Sequence, residues 1–241
     1  MHELHKIDFI FYHIEKCGGT SMRRALYDYF MNIFEQKLIF DPELSNDNNI
    51  QFNKKNIEII KKDNHFDYNN LKVIVGHTRV YDLPCLFINT PLKITILRDP
   101  IDRIISHYYS FDKISHNNSE LIDLPKSVFK KYCRGHGHHM CRVLHCMDKD
   151  NYLNVNKIKT IITQFTYILI LENIEEDIKI LNKLLNKYYN VNYNIQLNFH
   201  NINENKKIKN IELLKEKIKK YCEYDYILYN IVKIYNKRNH Q

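Results

Sequence analysis

The sequence predicts an α/β fold in which a central parallel sheet is flanked by helices. Apolar runs of strand length alternate with segments whose apolar residues recur every three or four positions. Such alternation is typical of parallel sheets, which bind ligands at the carboxyl ends of their strands. A chain of 241 residues, 44% of them hydrophobic, suits one domain with a substantial core, so we expect 1–241 to form a single domain.

The first strand and helix are predicted in residues 7–33. Residues 7–12 form an apolar run of strand length. The apolar residues that follow at helical spacing are Met22, Ala25, Leu26, Tyr29 and Ile33. A strand, a tight turn and a helix therefore follow one another directly.

The turn between them is Lys16-Cys17-Gly18-Gly19-Thr20-Ser21. Gly18 and Gly19 allow a sharp reversal and a close approach of the backbone to a ligand. Lys16 adds a positive charge, and Thr20 and Ser21 can cap the helix or donate to an oxyanion. Because a helix N-terminus favours anions, the turn is a candidate anion site, with an ordinary strand-turn-helix corner as the alternative. The lysine precedes the glycines, unlike the order G-x-x-x-x-G-K-[ST] of nucleotide triphosphatases.

A second strand-to-helix junction is predicted at residues 92–112. Residues 92–97 have the pattern of a buried strand, Asp99 is a natural N-cap, and Pro100 suits the first helical position. One face of the helix carries Ile101, Ile104, Ile105 and Tyr108. This junction therefore repeats the strand, turn and helix of the first.

Two polar residues of the second junction are candidate phosphate ligands. Arg98 follows the strand, and Ser106 lies two turns into the helix, with Arg103 one turn before it on the same side. We expect Arg98 and Ser106 to converge on a second phosphate group. A structural ion pair of Arg98 with Asp102 or Glu172 is the alternative.

The remaining elements follow from the same periodicities. Further strands are predicted at residues 71–76 and 167–171, and helices at 125–147 and 224–236. The intervening helical stripes consist of Ile174, Ile178, Leu181, Leu185 and Tyr188, and of Ile211, Leu214, Ile218 and Cys222. Residues 41–70 form a polar insert with a short helix at 56–62.

Histidines and cysteines are dense in residues 133–146. Four histidines and three cysteines in this run of 14 residues are donors that zinc accepts. No two clean ligand pairs stand at the usual spacings. The alternatives are that two of the cysteines form a disulfide or that the run lines a substrate cleft. The spacing of all six cysteines fixes no disulfide framework: Cys17, Cys85, Cys133, Cys141, Cys146 and Cys222.

The two junctions together resemble the sulfotransferase superfamily, most closely the Golgi carbohydrate enzymes that act on heparan, chondroitin or dermatan. Residues 13–21, H-I-E-K-C-G-G-T-S, are similar to its 5′-phosphosulfate loop, H-x-P-K-T-G-G-T-S, with Glu15 in place of proline and Cys17 in place of threonine. Residues 97–109 resemble its 3′-phosphate motif. Weaker similarities are Gly76-His77, a helix at 139–144, and the signature D-Y-x-L-Y at 225–229.

The resemblance implies a P-loop-like three-layer fold and a single sulfotransferase domain over 1–241. It implies 3′-phosphoadenosine 5′-phosphosulfate (PAPS) as donor, 3′-phosphoadenosine 5′-phosphate (PAP) as product, and no required metal. The implied donor-binding residues are Lys16, Cys17, Gly18, Gly19, Thr20, Ser21, Arg98, Ser106 and Arg142. Lys16 would also act in catalysis by stabilising charge on the leaving phosphate.

His77 is the candidate general base, because it follows a predicted strand and imidazole exchanges protons near neutral pH. A capping histidine is the alternative. Glu15 and His13 are rivals for the role by their closeness in sequence, and His107 is a weaker one. Arg142 reaches the donor or pairs with an acid.

The net charge of +8 suits an anionic partner. We expect a carbohydrate or other hydroxyl-bearing acceptor, including an anionic glycan, and no nucleic acid, because no aromatic-basic recognition motif occurs. No apolar run approaches the roughly 18 residues of a membrane span and no signal-peptide pattern occurs, so we expect no membrane segment. We favour the cytoplasm over the Golgi lumen.

Two other functions fit parts of the pattern. One is a nucleotide phosphotransferase of related P-loop fold, which the order of lysine and glycines disfavours. The other is a non-catalytic module that binds nucleotide or glycan. A preference for ATP over PAPS would distinguish the phosphotransferase from a sulfotransferase. Absence of turnover would distinguish the non-catalytic module.

Overall fold

The chain was analysed as a computed structural model that describes residues 7–41, 62–76, 90–198, 208 and 210–239. The strands of this part are β1 (Phe9–Tyr12), β2 (Ile39–Phe40), β3 (Val73–Gly76), β4 (Leu92–Leu97) and β5 (Tyr167–Ile170). The helices of its first half are α1 (Gly19–Phe30), α2 (Pro100–His107), α3 (Lys126–His136) and α4 (His139–Val143). Those that follow are α5 (Val155–Gln164), α6 (Ile174–Tyr189), α7 (Ile211–Lys219) and α8 (Glu223–Asn239).

The strands form one five-stranded sheet in the order β2-β3-β1-β4-β5. Strand β1 lies in the centre and pairs in parallel with β3 and β4, so that Tyr12 stands opposite both Gly76 and Thr95. All four residues of β1 are buried, as expected of a parallel strand covered on both faces. The predicted α/β fold with a central parallel sheet is confirmed.

The chain divides into two compact units. The first consists of Met1–Ile14, Gly18–Ile96 and Thr163–His200, and the second of Glu15–Cys17, Leu97–Ile162 and Asn201–Gln241. The sheet, except for Leu97 at the end of β4, and helices α1 and α6 belong to the first unit. Helices α2, α3, α4, α7 and α8 belong to the second.

In the first unit, α1 packs against β3 and α6 packs against β5. Aromatic rings fill the space beneath α1, where the ring centroids of Phe9 and Phe30 are 4.7 Å apart. Asp177 of α6 accepts hydrogen bonds from the Tyr167 hydroxyl at 2.7 Å and from the Ile170 amide at 2.6 Å. These contacts fix α6 against the last strand of the sheet.

The predicted stripe of α6 is correct except at its last residue. Ile174, Ile178, Leu181 and Leu185 are buried. Tyr188 is instead 50% exposed, and the ring of Tyr189 packs edge-on against Phe30 at 5.6 Å. The drift of the helical repeat over four turns moves the buried position from residue 188 to residue 189.

In the second unit, α2 buries the predicted face of Ile101, Ile104, Ile105 and Tyr108. Leu121 and Phe129 contribute to the same core from one side, and Leu214, Ile218 and Cys222 from α7 and the turn after it. Helix α2 ends at His107 and continues as a π turn, Tyr108–Asp112, rather than as regular helix to 112. The π turn ends with a hydrogen bond of 2.9 Å from the Lys113 amide to the Tyr108 carbonyl oxygen.

Two elements were not predicted. Strand β2 has two residues, too few to show a period. Helix α5 buries only Ile158, Ile161 and Ile162 in ten residues, so its apolar stripe is weak. The predicted helix at 56–62 falls almost entirely outside the described residues.

Candidate active site

The glycine turn begins at the carboxyl end of β1. The Thr95 hydroxyl donates to the Tyr12 carbonyl oxygen at 2.8 Å, and the His13 amide donates to the Gly76 carbonyl oxygen at 3.0 Å. These bonds tie the end of β1 to β4 and β3. The end of β1 is therefore held from both sides at the edge where parallel sheets bind ligands.

Gly18 and Gly19 are positions that only glycine fits. Gly18 has the left-handed φ of 80° and stands at the N-cap of α1. A Cβ on Gly19 would lie 1.8 Å from Cδ2 of His13, and one on Gly18 would lie 2.7 Å from Cδ1 of Leu171. The turn is therefore packed closely against the side chains of His13 and Leu171, and the two glycines make that approach possible.

The predicted capping of α1 by Thr20 or Ser21 is wrong. Because Gly18 reverses the chain, α1 begins at Gly19, and both hydroxyl residues lie in its first turn. Amides of a first turn have no acceptor within the helix, and the first turn of α1 contains no acidic residue. The positive end of the helix is left to an outside anion, so the turn fits a phosphate or sulfate group.

Lys16 and Arg98 are in contact within the second unit. Nη1 of Arg98 donates to the carbonyl oxygen of Lys16 at 3.2 Å. Lys16 has a φ of 64°, a left-handed conformation that is uncommon for a residue with a side chain. Burial, and next the charge of Arg98, lower the pKa of the Lys16 ammonium, whose Nζ lies 5.0 Å from the ring centroid of Phe111. The structure thus brings together two of the predicted cations.

Asp99 and Tyr226 anchor the start of α2. One carboxylate oxygen of Asp99 accepts from the Ile101 amide at 3.0 Å and the Asp102 amide at 3.1 Å, so the predicted N-cap is confirmed. The other accepts from the Tyr226 hydroxyl at 2.9 Å. This contact gives the tyrosine of the D-Y-x-L-Y signature a structural role.

The alternative ion pair of Arg98 with Asp102 is not formed. The Asp102 carboxylate instead pairs with Lys215 at 3.0 Å. Ser106 lies half-buried on α2, and no contact between described residues joins it to Arg98. The predicted convergence of Arg98 and Ser106 stays a prediction.

Asp225 positions helix α4, which carries Arg142. Its buried carboxylate accepts from the amides of Met140 at 3.1 Å and Cys141 at 2.8 Å, and deep burial raises its pKa. Arg142 is exposed and donates from Nη2 to the carbonyl oxygen of Gly135. The aspartate of the signature therefore holds the start of the helix that carries Arg142, and within the described part of the chain Arg142 has further donors to offer a ligand.

The thiol of Cys17 is buried, and its Sγ lies 3.9 Å from Sδ of Met140. Where the family loop has threonine, this chain therefore directs a sulfur into an apolar contact. The five cysteines among the described residues are all buried: Cys17, Cys133, Cys141, Cys146 and Cys222. No disulfide forms among them, so the predicted alternative of a cysteine pair within 133–146 is wrong.

His77, the candidate base, lies outside the described residues. Its neighbour Gly76 ends β3, at the hydrogen bond that the His13 amide makes. Of the rivals, His13 stacks on Phe11 with ring centroids 6.0 Å apart. Glu15 is exposed, and its carboxylate lies 3.9 Å from Nε2 of His107.

One cluster was missed by sequence reasoning. His107, Asp112 and His136 place one potential metal-ligating atom each within 4.8 Å of one another. Within the described part of the chain this is the one group of histidine, cysteine or carboxylate residues with such geometry. It takes a single histidine and no cysteine from the run 133–146, and the π turn that brings Asp112 to it has no signal in the sequence.

Buried positive charge surrounds this cluster. Arg103 is fully buried and donates from Nη2 to the carbonyl oxygen of His136, while its Nε and Nη1 have no hydrogen-bond partner among the described residues. Burial, and next the charges of nearby cations, lower the pKa of His136 to about 4 and that of His139 to about 3. Both imidazoles are therefore neutral at physiological pH.

None of the helices that the structure describes combines the length and the apolar character needed to cross a bilayer. No curated protein matches the chain at a significant level. The crystal structure of a sulfotransferase from Alicyclobacillus acidocaldarius is similar to it, with a TM-score of 0.42 and 11% sequence identity. That match covers 91% of this chain and 95% of the other.

A family model described as the sulfotransferase family matches residues 4–237, nearly the whole sequence. Membership over this length implies, in general terms, transfer of a sulfuryl group from a PAPS-type donor to a hydroxyl-bearing acceptor. The resemblance predicted from the two junctions is confirmed at the level of the superfamily. The chain belongs to the sulfotransferase family.

Proposed function

We propose that this chain transfers the sulfuryl group of PAPS to a hydroxyl or amine group of a carbohydrate acceptor, as Golgi-type carbohydrate sulfotransferases do. The observation that carries the proposal is the closely packed turn at Gly18 and Gly19. It leads into a helix whose first turn has no acidic residue and in which a Cβ at Gly19 has no room. This turn stands in a sequence motif that the family uses for its donor.

The 5′ end of the donor is assigned to consecutive residues of the loop. The amides from Cys17 to Ser21, with the hydroxyls of Thr20 and Ser21, hold the 5′-phosphate and the sulfate. Lys16 supplies positive charge to the bridging oxygen as negative charge develops on the leaving phosphate. Its left-handed backbone, held by Arg98, supports this assignment because strained residues persist where the surroundings fix them and cluster at functional sites.

The 3′-phosphate is assigned to Arg98 and Ser106, and Arg142 adds a further donor to the nucleotide. Among the residues that the structure describes, one donor of Arg98 bonds the Lys16 carbonyl oxygen, and a guanidinium has further donors to offer a phosphate. A guanidinium suits this role because it binds phosphate oxygens in pairs. With lysine, arginine and the helix dipole compensating charge, the transfer proposed here does not use a metal.

His77 is assigned as the base that takes the proton of the acceptor. It follows Gly76 at the carboxyl end of β3, next to the strand that leads into the donor loop. The sulfuryl group passes in line from the phosphate oxygen to the acceptor oxygen, and positioning and charge stabilisation do most of the work. Glu15 and His13 are the residues to test next if His77 is dispensable.

The acceptor is assigned as a carbohydrate, including an anionic glycan, because the net charge of +8 attracts acidic polymers. We also propose that residues 1–241 act as one sulfotransferase domain. Each compact unit is assembled from three separated stretches of chain, so no single cut in the sequence separates them.

Sulfate transfer from radiolabelled PAPS to heparan, chondroitin and dermatan chains, without magnesium, tests the proposal. We expect label in at least one glycan with the wild type and almost none with Lys16→Ala. Phosphate transfer from ATP without use of PAPS would indicate a phosphotransferase instead. Binding of PAPS without turnover on any acceptor would indicate a non-catalytic module.

A further inference from the structure

The proposed transfer has no use for the cluster of His107, Asp112 and His136. Nδ1 of His107 lies 3.0 Å from a carboxylate oxygen of Asp112, and the ring centroids of the two histidines are 4.1 Å apart. All three side chains are half-buried and belong to the second unit. Two imidazoles and a carboxylate thus face one another within a space of a few ångströms.

The π turn explains how His107 and Asp112 meet. Residues five apart in a regular α-helix point in different directions, whereas a turn closed by an i to i+5 hydrogen bond is wider and brings them nearer. The hydrogen bond from the Lys113 amide to the Tyr108 carbonyl oxygen is of this type and widens the helical turn at this point. Such π turns occur often at functional sites, since they interrupt an otherwise stable helix.

Helix α3 brings the third residue. The hydroxyl of Tyr132 donates to the carbonyl oxygen of Ile104 at 3.3 Å and lies 3.1 Å from Nδ1 of His107. His136 stands one turn further along α3 and packs its ring against Tyr132 at 4.6 Å. The cluster therefore joins α2 and α3, which already pack against each other through the buried Tyr132. This packing holds the three side chains in place.

The carboxylate of Asp112 faces the imidazoles from a buried position. Its Oδ2 is the atom 3.0 Å from Nδ1 of His107, and this ion-pair contact lacks the angle of a hydrogen bond. A buried carboxylate oxygen without a well-aligned donor is costly, so a cation between these side chains would stabilise it.

We propose that His107, Asp112 and His136 bind a divalent transition metal, with zinc the expected ion. Zinc accepts imidazole nitrogen and carboxylate oxygen at about 2.0–2.2 Å, whereas magnesium and calcium prefer oxygen ligands alone. Ligand atoms of a tetrahedral zinc site are about 3.4 Å apart, so contacts of up to 4.8 Å require shifts of about 1 Å.

The local charges bear on how tightly the ion binds. The buried guanidinium of Arg103 opposes a cation, and the carboxylates of Asp112 and Glu15 offset it, with Glu15 3.9 Å from Nε2 of His107. Three protein ligands leave a coordination position for water or for a further ligand. The metal links α2 to α3, and this role is independent of whether the chain transfers sulfate.

Equilibrium dialysis of the full chain against zinc, followed by metal analysis, tests the proposal. We expect one zinc per wild-type chain and a loss of affinity of at least about tenfold in Asp112→Asn and His136→Gln. His138→Gln is the matched control, since His138 lies in the same run but outside the cluster. It should bind zinc as the wild type does.

Cobalt absorption gives a second readout that does not depend on activity. Cobalt bound by the wild type should show the visible bands of a site with nitrogen and oxygen ligands, and these bands should be lost in Asp112→Asn. Circular dichroism establishes that the variants are folded. A folded wild type that binds no zinc would overturn the proposal, as would Asp112→Asn and His136→Gln variants that bind it with unchanged affinity.

Discussion

Arg98 donates a hydrogen bond of 3.2 Å to the carbonyl oxygen of Lys16 and so holds the lysine in a left-handed backbone conformation. The cation assigned to the 3′-phosphate therefore also fixes the backbone of the residue assigned to the leaving phosphate. If both assignments hold, binding of the donor nucleotide and alignment of Lys16 are linked through a single guanidinium. This link leads to distinct expectations for the two residues.

Lys16→Ala should affect turnover more than nucleotide binding. If Lys16 stabilises charge that develops in the transition state, its loss lowers kcat by about 100–1000-fold. PAP affinity, by contrast, should fall less than about tenfold. Steady-state kinetics and calorimetry measure the two effects, with Lys130→Ala, an exposed lysine of α3, as control. A loss of PAP affinity with kcat unchanged would show that Lys16 only binds.

Gly19→Ala should destabilise the fold and impair PAP binding, because the new Cβ would lie 1.8 Å from the His13 ring. Gly135→Ala is the matched control: nothing lies within 4 Å of its Cβ, and alanine favours a helix by about 0.5–1 kcal/mol. Thermal unfolding followed by circular dichroism distinguishes them. Adding His13→Ala to Gly19→Ala should restore stability, and a failure to do so would count against the clash as the cause.

Asp99 and Tyr226 should be energetically coupled. Their hydrogen bond of 2.9 Å involves a carboxylate, and bonds to charged groups contribute about 1.5–3 kcal/mol. Chemical denaturation of Tyr226→Phe, Asp99→Asn and the double variant should give a coupling energy of about 0.5–3 kcal/mol. Tyr152→Phe, at an exposed tyrosine, should be neutral. Additive effects at residues 99 and 226 would contradict the anchoring of α2 by the signature tyrosine.

His139 should make the fold sensitive to acid. Its folded-state pKa of about 3 lies below the ordinary 6.5, chiefly through burial, so below pH 6.5 the unfolded chain takes up a proton that the folded chain refuses. Stability is therefore lost as the pH falls toward 3. Between about pH 6.5 and 4.5, the free energy of unfolding of His139→Gln should fall by about 1–3 kcal/mol less than that of the wild type. Parallel pH profiles of unfolding free energy would contradict this.

The parts of the fold that could be predicted from the sequence are those in which a local pattern decides the structure. Strand β4 occupies residues 92–97 as predicted, and Asp99 and Pro100 begin α2 as their cap and first-turn preferences indicate. Strand β2 was not predicted because its pairing with β3, and not its own composition, defines it. The exchange of Tyr188 for Tyr189 on α6 has another cause, the drift of the helical repeat over four turns.

The sequence predicted the candidate site only where its residues are close together in the chain. The glycine turn could be predicted because strand, glycines and helix are consecutive. The contact of Arg98 with the Lys16 carbonyl oxygen joins residues 82 positions apart, and no periodicity encodes it. The cluster of His107, Asp112 and His136 depends on a π turn and on the packing of two helices, so the histidine run alone does not identify these three residues.

Calorimetric titration of PAP and of AMP, without magnesium, tests the donor assignment most directly. The wild type should bind PAP and not AMP, and Arg98→Ala should lose about 10–100-fold in PAP affinity, the equivalent of one charge-assisted hydrogen bond or more. Arg134→Ala, at an exposed arginine of α3, should bind as the wild type does. A folded wild type that binds neither nucleotide, or that binds AMP as well as PAP, would contradict the assignment.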